Sequence, residues 1–292
     1  MQRLQIGDVA ITSLIERDGP WRRPEDMFLN YDTAAKAADV ARCAPEVLDR
    51  ASGKMVITYQ TFVIRTGRHV VLVDTCTGED KGYPAPMDFD KTPWLKALAA
   101  EGLTVADVDY VFCTHLHIDH SGWNTKLVDG RWVPTFPKAK YVFHKAEYAA
   151  WEQLAKEGKE RAGGAGGVWK MNCEPIVAAG QALLVDEGFT LDDCISLILT
   201  PGHSPAHICV EVRSKGQRAI IAGDMLHHQL QCLDPGMSTI FCWDPVAAAN
   251  SRKRVFEEIA ETDTLLLPIH FPSPTAGRLK RAGQGYDWLF AR

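Results

Sequence analysis

The chain lacks any stretch long and apolar enough to cross a membrane, because a spanning helix needs about 20 consecutive apolar residues. Its N-terminal residues also lack the apolar core of a secretory signal peptide and resemble an opening strand of a folded domain. We therefore expect a cytoplasmic protein without a membrane partner, and a secreted enzyme is disfavoured.

An excess of basic charge is absent as well. The net charge is −5, which argues against a general binder of nucleic acid or of anionic membranes. At 292 residues, with 46% apolar and 24% charged side chains, the chain has the size and composition of a globular protein with a substantial core. We expect one domain over residues 1–292, with an N-terminal arm at about 1–54 and a helical, glycine-rich insert at about 144–180.

Paired cysteines are missing too. None of the eight cysteines forms a Cys-x-x-Cys pair, and several lie in apolar, strand-like runs, where a free thiol behaves as a small apolar group. None has the setting that activates a thiolate nucleophile. The glycine-rich run at 163–167 predicts a flexible loop, and it is no phosphate-binding motif because a helix with Lys-Ser or Lys-Thr does not follow.

The chain does contain a dense group of metal-binding side chains, His115-x-His117-x-Asp119-His120. The apolar run at 108–113 predicts a short buried strand, so these side chains lie on the loop at the strand's C-terminal end. Alternate residues of an extended segment face the same way, so His115 and His117 can hold one ion. The loop then turns, and Asp119 and His120 can face a second ion. Packing alone does not easily explain such a group.

This motif resembles the signature of the metallo-β-lactamase superfamily, whose remaining ligands follow as a His, an Asp and a His. His203, Asp224 and His270 offer these in order, each after an apolar, strand-like run. The resemblance covers about residues 55–275. It implies an α/β fold of the αβ/βα four-layer sandwich type. In that fold two mixed sheets face each other, helices lie outside, and the metal site sits at one edge between the sheets.

The resemblance also implies a ligand set for two divalent ions. One ion would be held by His115, His117 and His203, the other by Asp119, His120 and His270, with Asp224 as the bridge. Mixed histidine and carboxylate ligands favour Zn²⁺, although Mn²⁺, Fe²⁺ or Co²⁺ bind the same groups. Asp74 follows a β-branched strand and resembles the family's carboxylate that orients a ligand histidine. The alternative is that Asp74 only caps the following turn.

The chemistry that follows from such a site is hydrolysis. A water molecule between two divalent ions loses a proton near neutral pH, and the resulting hydroxide is the expected nucleophile. Asp119 is the candidate to orient it and to pass its proton to the leaving group. His227 lies three residues after Asp224, where acyl-homoserine lactonases carry a Tyr, and this resembles the branch that contains methyl-parathion hydrolase. We interpret His227 as a donor to an oxyanion, with an ordinary loop histidine as the alternative.

The expected small-molecule substrate is a lactone or a carboxylic ester. The alternatives are a promiscuous aryl ester or phosphotriester hydrolase, a thioesterase, a redox enzyme of the same superfamily and, outside enzymes, a metal-free scaffold. A homodimer is compatible with an exposed N-terminal arm. Four aromatic side chains are candidates for an apolar substrate pocket, with a place in the core as the alternative for each: Trp123, Phe241, Trp243 and Phe271.

Coarse patterns predict the remaining elements. They are an opening strand or hairpin over 3–17, helical patches near 33–40 and 45–51, a strand over 55–64, a hairpin over 207–223, a helix over 245–261 and a last strand over 264–268. The helix over 245–261 is amphipathic, with Val246 on its inner face and Arg252 outside. His144 also follows a predicted strand, but it lies outside the family pattern.

Overall fold

Two seven-stranded sheets form the frame of the computed structural model, which describes residues 3–160 and 167–291. The glycines at 163–166 lie outside the described residues. The strands of the described part are, in chain order, β1 Leu4–Ile6, β2 Val9–Arg17, β3 Pro20–Arg22, β4 Leu48–Asp49, β5 Lys54–Val56, β6 Tyr59–Arg65, β7 Val70–Val73, β8 Tyr110–Phe112, β9 Thr125–Val128, β10 Arg131–Pro134, β11 Lys140–His144, β12 Ala182–Val185, β13 Thr190–Leu191, β14 Ile195–Leu199, β15 Ile208–Ser214, β16 Gln217–Ile221, β17 Leu265–Leu267, β18 Gly277–Ala282 and β19 Gly285–Phe290.

The helices lie in the connections between these strands. The α-helices are α1 Ala37–Arg42, α2 Thr92–Ala100, α3 Ile118–Ser121, α4 Lys145–Lys156, α5 Glu174–Ala178, α6 Leu230–Leu233 and α7 Pro245–Ile259. Short 3₁₀ turns occur at Pro24–Asp26, Val105–Asp107, Gly122–Asn124 and Gly223–Met225, and a π-helical turn occurs at Trp169–Cys173.

Both large sheets are mixed. The first has the order β1-β2-β6-β7-β8-β11-β12, in which the last four strands are parallel and the others antiparallel. The second has the order β13-β14-β15-β16-β17-β18-β19 and is antiparallel except between β16 and β17. A β9–β10 hairpin and a small β3-β5-β4 sheet lie beside them.

Side chains from the two facing sheets share a central apolar layer, to which Val71 and Val210 belong. Their chain neighbours point the opposite way, as the alternation of a strand requires. Leu72 packs in the cluster that contains apolar residues of α2 and α4, and Cys209 packs in the cluster that contains apolar residues of α7. The layer order is therefore helix, sheet, sheet, helix, and the predicted αβ/βα four-layer sandwich is confirmed.

The predicted single strand over 55–64 is wrong. The chain forms β5 and β6, which belong to different sheets. Between them, the Ile57 N–H donates to the Gly19 carbonyl at 3.2 Å and the Thr58 N–H donates to the His270 carbonyl at 3.0 Å. The backbone therefore leaves the sheet ladder at this point and bonds to the loop that carries His270.

Other local predictions also need correction. Residues 45–51 contain β4 instead of a helix, because Leu48 is buried and pairs with Met55. The strand predicted over 264–268 exists as β17, but β18 and β19 follow it and complete the second sheet. The hairpins predicted over 3–17 and 207–223 are confirmed as β1–β2 and β15–β16. Because β2 also pairs along β6, the start of the predicted arm belongs to the first sheet.

Helix α7 is present, but two of its residues were assigned to the wrong face. Val246 is 70% exposed, whereas Arg252 is only 1% exposed. The Arg252 guanidinium donates to the Pro235 carbonyl at 3.1 Å, to the Met225 carbonyl at 2.8 Å and to the Met237 carbonyl. Burial lowers the pKa of Arg252 to about 10. This arginine is therefore an inner residue that ties the loop after Asp224 to the helix.

Helices are short throughout the described residues, and none of them combines the length and the apolar character that crossing a membrane requires.

Candidate metal centre

The predicted metal ligands lie at one edge of the two sheets, just after the C-terminal ends of strands. His115 and its neighbours follow β8 of the first sheet, whereas His203, Asp224 and His270 follow β14, β16 and β17 of the second. Strands β14 and β16 are both antiparallel to β15, and β17 is parallel to β16, so these three strands end on the same side. The topology therefore brings ligands from distant parts of the chain together.

The first ligand group contains His115, His117, His203 and Asp224. His117 Nδ1 lies 2.9 Å from His115 Nε2 and 2.9 Å from His203 Nε2. Asp224 Oδ2 lies 3.0 Å from His203 Nε2 and 3.7 Å from His115 Nε2. Three imidazole nitrogens and one carboxylate oxygen thus converge on one point.

The second ligand group contains Asp119, His120 and His270, and it faces the other oxygen of Asp224. Asp224 Oδ1 lies 3.0 Å from His270 Nε2 and 3.1 Å from His120 Nε2. Asp119 Oδ1 lies 3.7 Å from His120 Nε2, and Asp119 Oδ2 lies 3.7 Å from His270 Nε2. Asp224 therefore stands between two groups of nitrogen atoms and turns one oxygen to each.

The donor set fits a pair of divalent ions. His120 Nε2 and Asp224 Oδ1 are buried and have no hydrogen-bond partner in the described residues, although they lie 3.1 Å apart. Burial and the neighbouring imidazoles lower the pKa of His115 and His117 well below the usual range, which favours the neutral, metal-binding form. Unpaired atoms that converge at short distance are the arrangement expected of ligands around shared ions.

Partners behind the ligands fix which ring nitrogen faces the centre. His120 Nδ1–H donates to Asp74 Oδ2 at 2.7 Å, and His270 Nδ1–H donates to the Thr58 carbonyl at 2.9 Å. Asp74 also accepts from the Thr114 N–H at 2.6 Å and from its hydroxyl at 2.7 Å. These bonds leave the Nε2 lone pairs of both histidines directed at the centre. The structure thus places Asp74 behind His120. The partner behind His270 is Thr58, which lies in the break between β5 and β6.

Glu147, a buried carboxylate in the first turn of α4, belongs to no motif that the sequence shows. Its Oε1 accepts from the Leu116 N–H at 3.3 Å and from the Trp151 indole at 2.7 Å. Its Oε2 accepts from the Ser204 hydroxyl and from the Ala206 N–H, both at 2.8 Å. Glu147 therefore joins the loop that carries His115 and His117 to the loop that carries His203.

His207 is a second buried residue near the centre that no sequence motif indicates. The Asp224 N–H donates to His207 Nε2 at 2.9 Å, so the proton of this ring lies on Nδ1, which bonds to the Thr200 hydroxyl at 2.8 Å. Gly223 makes the close approach possible. Its φ is +50°, and a Cβ there would lie 2.5 Å from His207 Nε2. His207 thus positions the backbone of the bridging residue.

A cavity of about 430 Å³ opens above the ligands, and Asp119, Asp224 and His227 lie in its wall. His227 Nε2 lies 3.1 Å from Asp224 Oδ2, and the ring stacks on His270 with centroids 5.3 Å apart. Neither ring nitrogen of His227 has a hydrogen-bond partner in the described part of the chain. Burial lowers the pKa of His227 to about 4, so the imidazole is neutral at neutral pH.

Only two of the four aromatic candidates line this cavity. Phe241 and Trp243 are in its wall and are partly exposed. Trp123 instead lies in the apolar layer outside the first sheet and donates its indole N–H to Glu16 at 2.7 Å. Phe271 lies in the apolar layer outside the second sheet. Assigning these last two to the pocket was wrong, because closeness to a motif in sequence did not place their rings on the same side as the ligands.

Other cavity residues come from segments that carry no motif. The wall includes Trp21 and Tyr59, a turn at 84–87, and Trp151 of α4. The Tyr59 hydroxyl contacts only Met87 Sδ, at 3.7 Å, among the bonds of the described residues, and burial raises its pKa well above the usual value. It is therefore a protonated donor beside the centre. His144 lies elsewhere, where its Nδ1 accepts from the Ala146 N–H at 3.3 Å and caps α4.

A comparison with known families decides the assignment. A family profile described as the metallo-beta-lactamase superfamily matches residues 58–238, which is more than half of the chain. The chain belongs to the metallo-beta-lactamase superfamily. This agrees with the resemblance seen in the motifs and with the four-layer fold.

Two solved structures share the whole fold with this chain. The hydrolase AbOPH of the beta lactamase superfamily superposes with a TM-score of 0.84 at 23% identity, over 99% of this chain and 97% of that one. AidC, a dizinc quorum-quenching lactonase solved with a product, N-hexnoyl-L-homoserine, superposes with a TM-score of 0.77 at 19% identity, over 100% of this chain and 97% of that one. At these identities the likeness shows the fold.

A curated relative is the uncharacterized protein C03F11.2 of Caenorhabditis elegans. It is 23% identical over 204 residues, which are 69% of this chain and 45% of that protein. The chain therefore matches less than half the length of this relative, and the relative adds no activity to the assignment.

Proposed function

We propose that this metallo-beta-lactamase superfamily member is a dinuclear metal-dependent hydrolase that opens a lactone or a carboxylic ester. The observation that carries the proposal is Asp224, whose two oxygens face separate groups of imidazoles at the floor of a mostly apolar cavity. Two divalent ions, for which Zn²⁺ suits the donor set best, would bring the pKa of a water molecule near neutrality and polarise the substrate carbonyl.

The chain's own residues supply the remaining functions. Asp119 belongs to the second ligand group and lies in the cavity wall, so its carboxylate can take up a proton and deliver it to the leaving group. The neutral His227 and the Tyr59 hydroxyl face the same space and can each donate to a substrate oxygen on which negative charge develops. The apolar wall limits the access of bulk water to these groups.

A second candidate is the hydrolysis of aryl esters or phosphotriesters. Two observations favour it. A histidine, His227, occupies the position three residues after the bridging aspartate, and the cavity wall is rich in aromatic rings, including Trp21, Trp151 and Phe241. Rings of this kind stack well on an aromatic leaving group. The likeness to a dizinc lactonase supports the lactone instead.

The first experiment is the metal content of the purified protein together with initial rates on a panel. The panel contains γ- and δ-lactones with short and long acyl tails, an aryl ester, an aryl phosphotriester and a thioester. We expect about two metal ions per chain and turnover of a lactone or ester that a chelator abolishes. One iron without hydrolysis would favour a redox enzyme, and no metal at all would favour a scaffold. The cytoplasmic location and the homodimer stay predictions.

A further inference from the structure

Arg22 lies in the cavity wall because the strand that carries it is irregular. In β3, Pro20 pairs with Val56 and Arg22 pairs with Met55. The chain therefore advances by two residues in β3 where it advances by one in β5. Neighbouring side chains of a regular strand point in opposite directions, whereas a bulge can turn two of them the same way. Trp21 and Arg22 accordingly both line the cavity.

The positive charge of Arg22 is matched by no carboxylate in the described part of the chain. Among the described residues, its guanidinium makes no ion pair and no hydrogen bond, and it lies over the ring of Phe241 at 5.4 Å. Nearby arginines differ. Arg17 donates to the carbonyls of Ile57 at 3.3 Å and Pro20 at 3.1 Å. Arg23 lies 3.9 Å from a carboxylate oxygen of Glu25, in the turn that follows β3. Arg22 is thus singled out by having its charge directed at a cavity.

The cavity itself offers no acid that could pair with Arg22. The acidic residues in its wall are Asp119 and Asp224, and both belong to the candidate metal centre. Phe241, which lies under the guanidinium, is 39% exposed, so Arg22 stands toward the rim while the ligands form the buried floor. The cavity therefore presents two kinds of chemistry, with candidate metal ligands at its buried floor and a cation toward its rim.

We propose that the substrate carries a carboxylate on an aromatic or apolar body, and that Arg22 binds this carboxylate while the ester or lactone group lies at the floor. This inference rests on the proposed hydrolase function. The planar guanidinium matches the two oxygens of a carboxylate, and its central carbon lies 5.4 Å from the centroid of the Phe241 ring, within the range of a cation–π contact. A half-buried position weakens the screening of the pair by salt.

The test uses two acetate esters of the same shape, those of 4-(hydroxymethyl)benzoic acid and of 4-(hydroxymethyl)benzamide. The para-linked ring keeps the carboxylate away from its own ester, so only the charge differs. We expect the metal-loaded enzyme to favour the acid over the amide in kcat/KM by about tenfold or more, which is the strength of a hydrogen-bonded charge pair. In Arg22→Met this ratio should fall toward one, and Arg22→Lys should keep part of it.

Arg23→Met is the matched control, because Arg23 is adjacent in sequence, is absent from the cavity wall and should keep the full ratio. Thermal unfolding of all three variants shows whether they are folded. A ratio near one in the unaltered enzyme, or a ratio that survives Arg22→Met, would overturn the inference while leaving the hydrolase proposal intact. If neither ester is hydrolysed, the ratio of the calorimetric dissociation constants of the same two compounds decides the inference, and the hydrolase proposal is decided by its own substrate panel.

Discussion

The floor and the rim of the cavity are built in different ways. At the floor, His120 and His270 each have a fixed partner behind the ring, and the carboxylates of Asp74 and Asp224 are buried. At the rim, the aromatic side chains of Phe241 and Trp243 are partly exposed and form part of the cavity surface. The side chains of the floor are therefore held in one geometry by hydrogen bonds, whereas the rim offers aromatic surface on a backbone that is itself hydrogen-bonded, as between the Trp243 N–H and the His203 carbonyl at 3.0 Å.

The difference indicates how reaction and substrate are divided within the molecule. Metal ligands must be placed within fractions of an ångström, so the floor tolerates little change. An apolar wall can be reshaped by single substitutions with small effects on stability, so substrate choice can vary there. Substitutions should therefore have effects that decrease from the centre of the floor to the rim, and the following variants test that order.

The largest effect is expected for Asp224→Asn. The amide keeps the shape but replaces one anionic oxygen that faces a ligand group. Activity should fall about a thousandfold or more, because several kcal/mol of stabilisation are lost at about 1.4 kcal/mol per tenfold. The bound metal is measured with the turnover. Asp186→Asn, at an exposed aspartate paired with Lys145, is the control and should behave like the unaltered protein. Full metal content and turnover in Asp224→Asn would contradict the bridging role.

A smaller loss is expected for Asp74→Asn, which changes a group behind a ligand. The carboxylate accepts from His120 Nδ1–H, and its replacement should weaken metal affinity by about 10- to 100-fold. Asp74 has a φ of +57°, which asparagine tolerates, so the backbone should be kept. Affinity is measured by competition with a chelator. Asp129→Asn, at a surface turn with a φ of +48°, is the matched control. Equal affinity in both variants would mean that Asp74 does not orient the ligand.

The floor could be predicted from the sequence because the local His-x-His-x-Asp-His motif carries the family resemblance that implies the other ligands. His115, His203, Asp224 and His270 each follow a short apolar run, and a strand end fixes where the next side chain points. The two sheets and their layer order were predicted from the resemblance to the metallo-β-lactamase superfamily that these residues carry. Glu147 could not be found in this way, since an acid in the first turn of a helix is ordinary on a surface and only the tertiary fold shows that it is buried.

The rest of the cavity wall could be predicted only in part, because its members meet only in the folded chain. Phe241 and Trp243 were predicted, whereas Trp21, the turn at 84–87 and Trp151 come from separate segments that carry no motif. The buried Arg252 shows the same limit, because a helical pattern places a charged residue outside unless backbone carbonyls of a distant loop surround it. Contacts over long sequence distances, more than local propensity, determine these positions.

An intermediate effect is expected for Glu147→Gln. All four groups that face this carboxylate are donors. In glutamine an NH₂ group replaces one of the two oxygens, so at least one of these donors loses its acceptor. We expect a loss of about 1–3 kcal/mol in the free energy of unfolding and a smaller loss of activity than for Asp74→Asn. Urea unfolding measures the first quantity. The control is Glu152→Gln on the same helix, where the carboxylate pairs with Lys156 near the surface. If both variants had equal stability, Glu147 would not join the ligand loops.

The smallest effect is expected at the rim, for Phe241→Ala. The side chain is 39% exposed, so its loss should change the free energy of unfolding by less than about 1 kcal/mol. Phe241 also lines the cavity, so the variant should lose apolar contact with the substrate equally in the bound state and in the transition state. We therefore expect KM to rise a few-fold and kcat to stay unchanged. Val246→Ala removes a side chain that is 70% exposed and outside the cavity wall, and it should leave both constants unchanged. A fall in kcat at constant KM would place Phe241 with the floor and would break the division between the two regions.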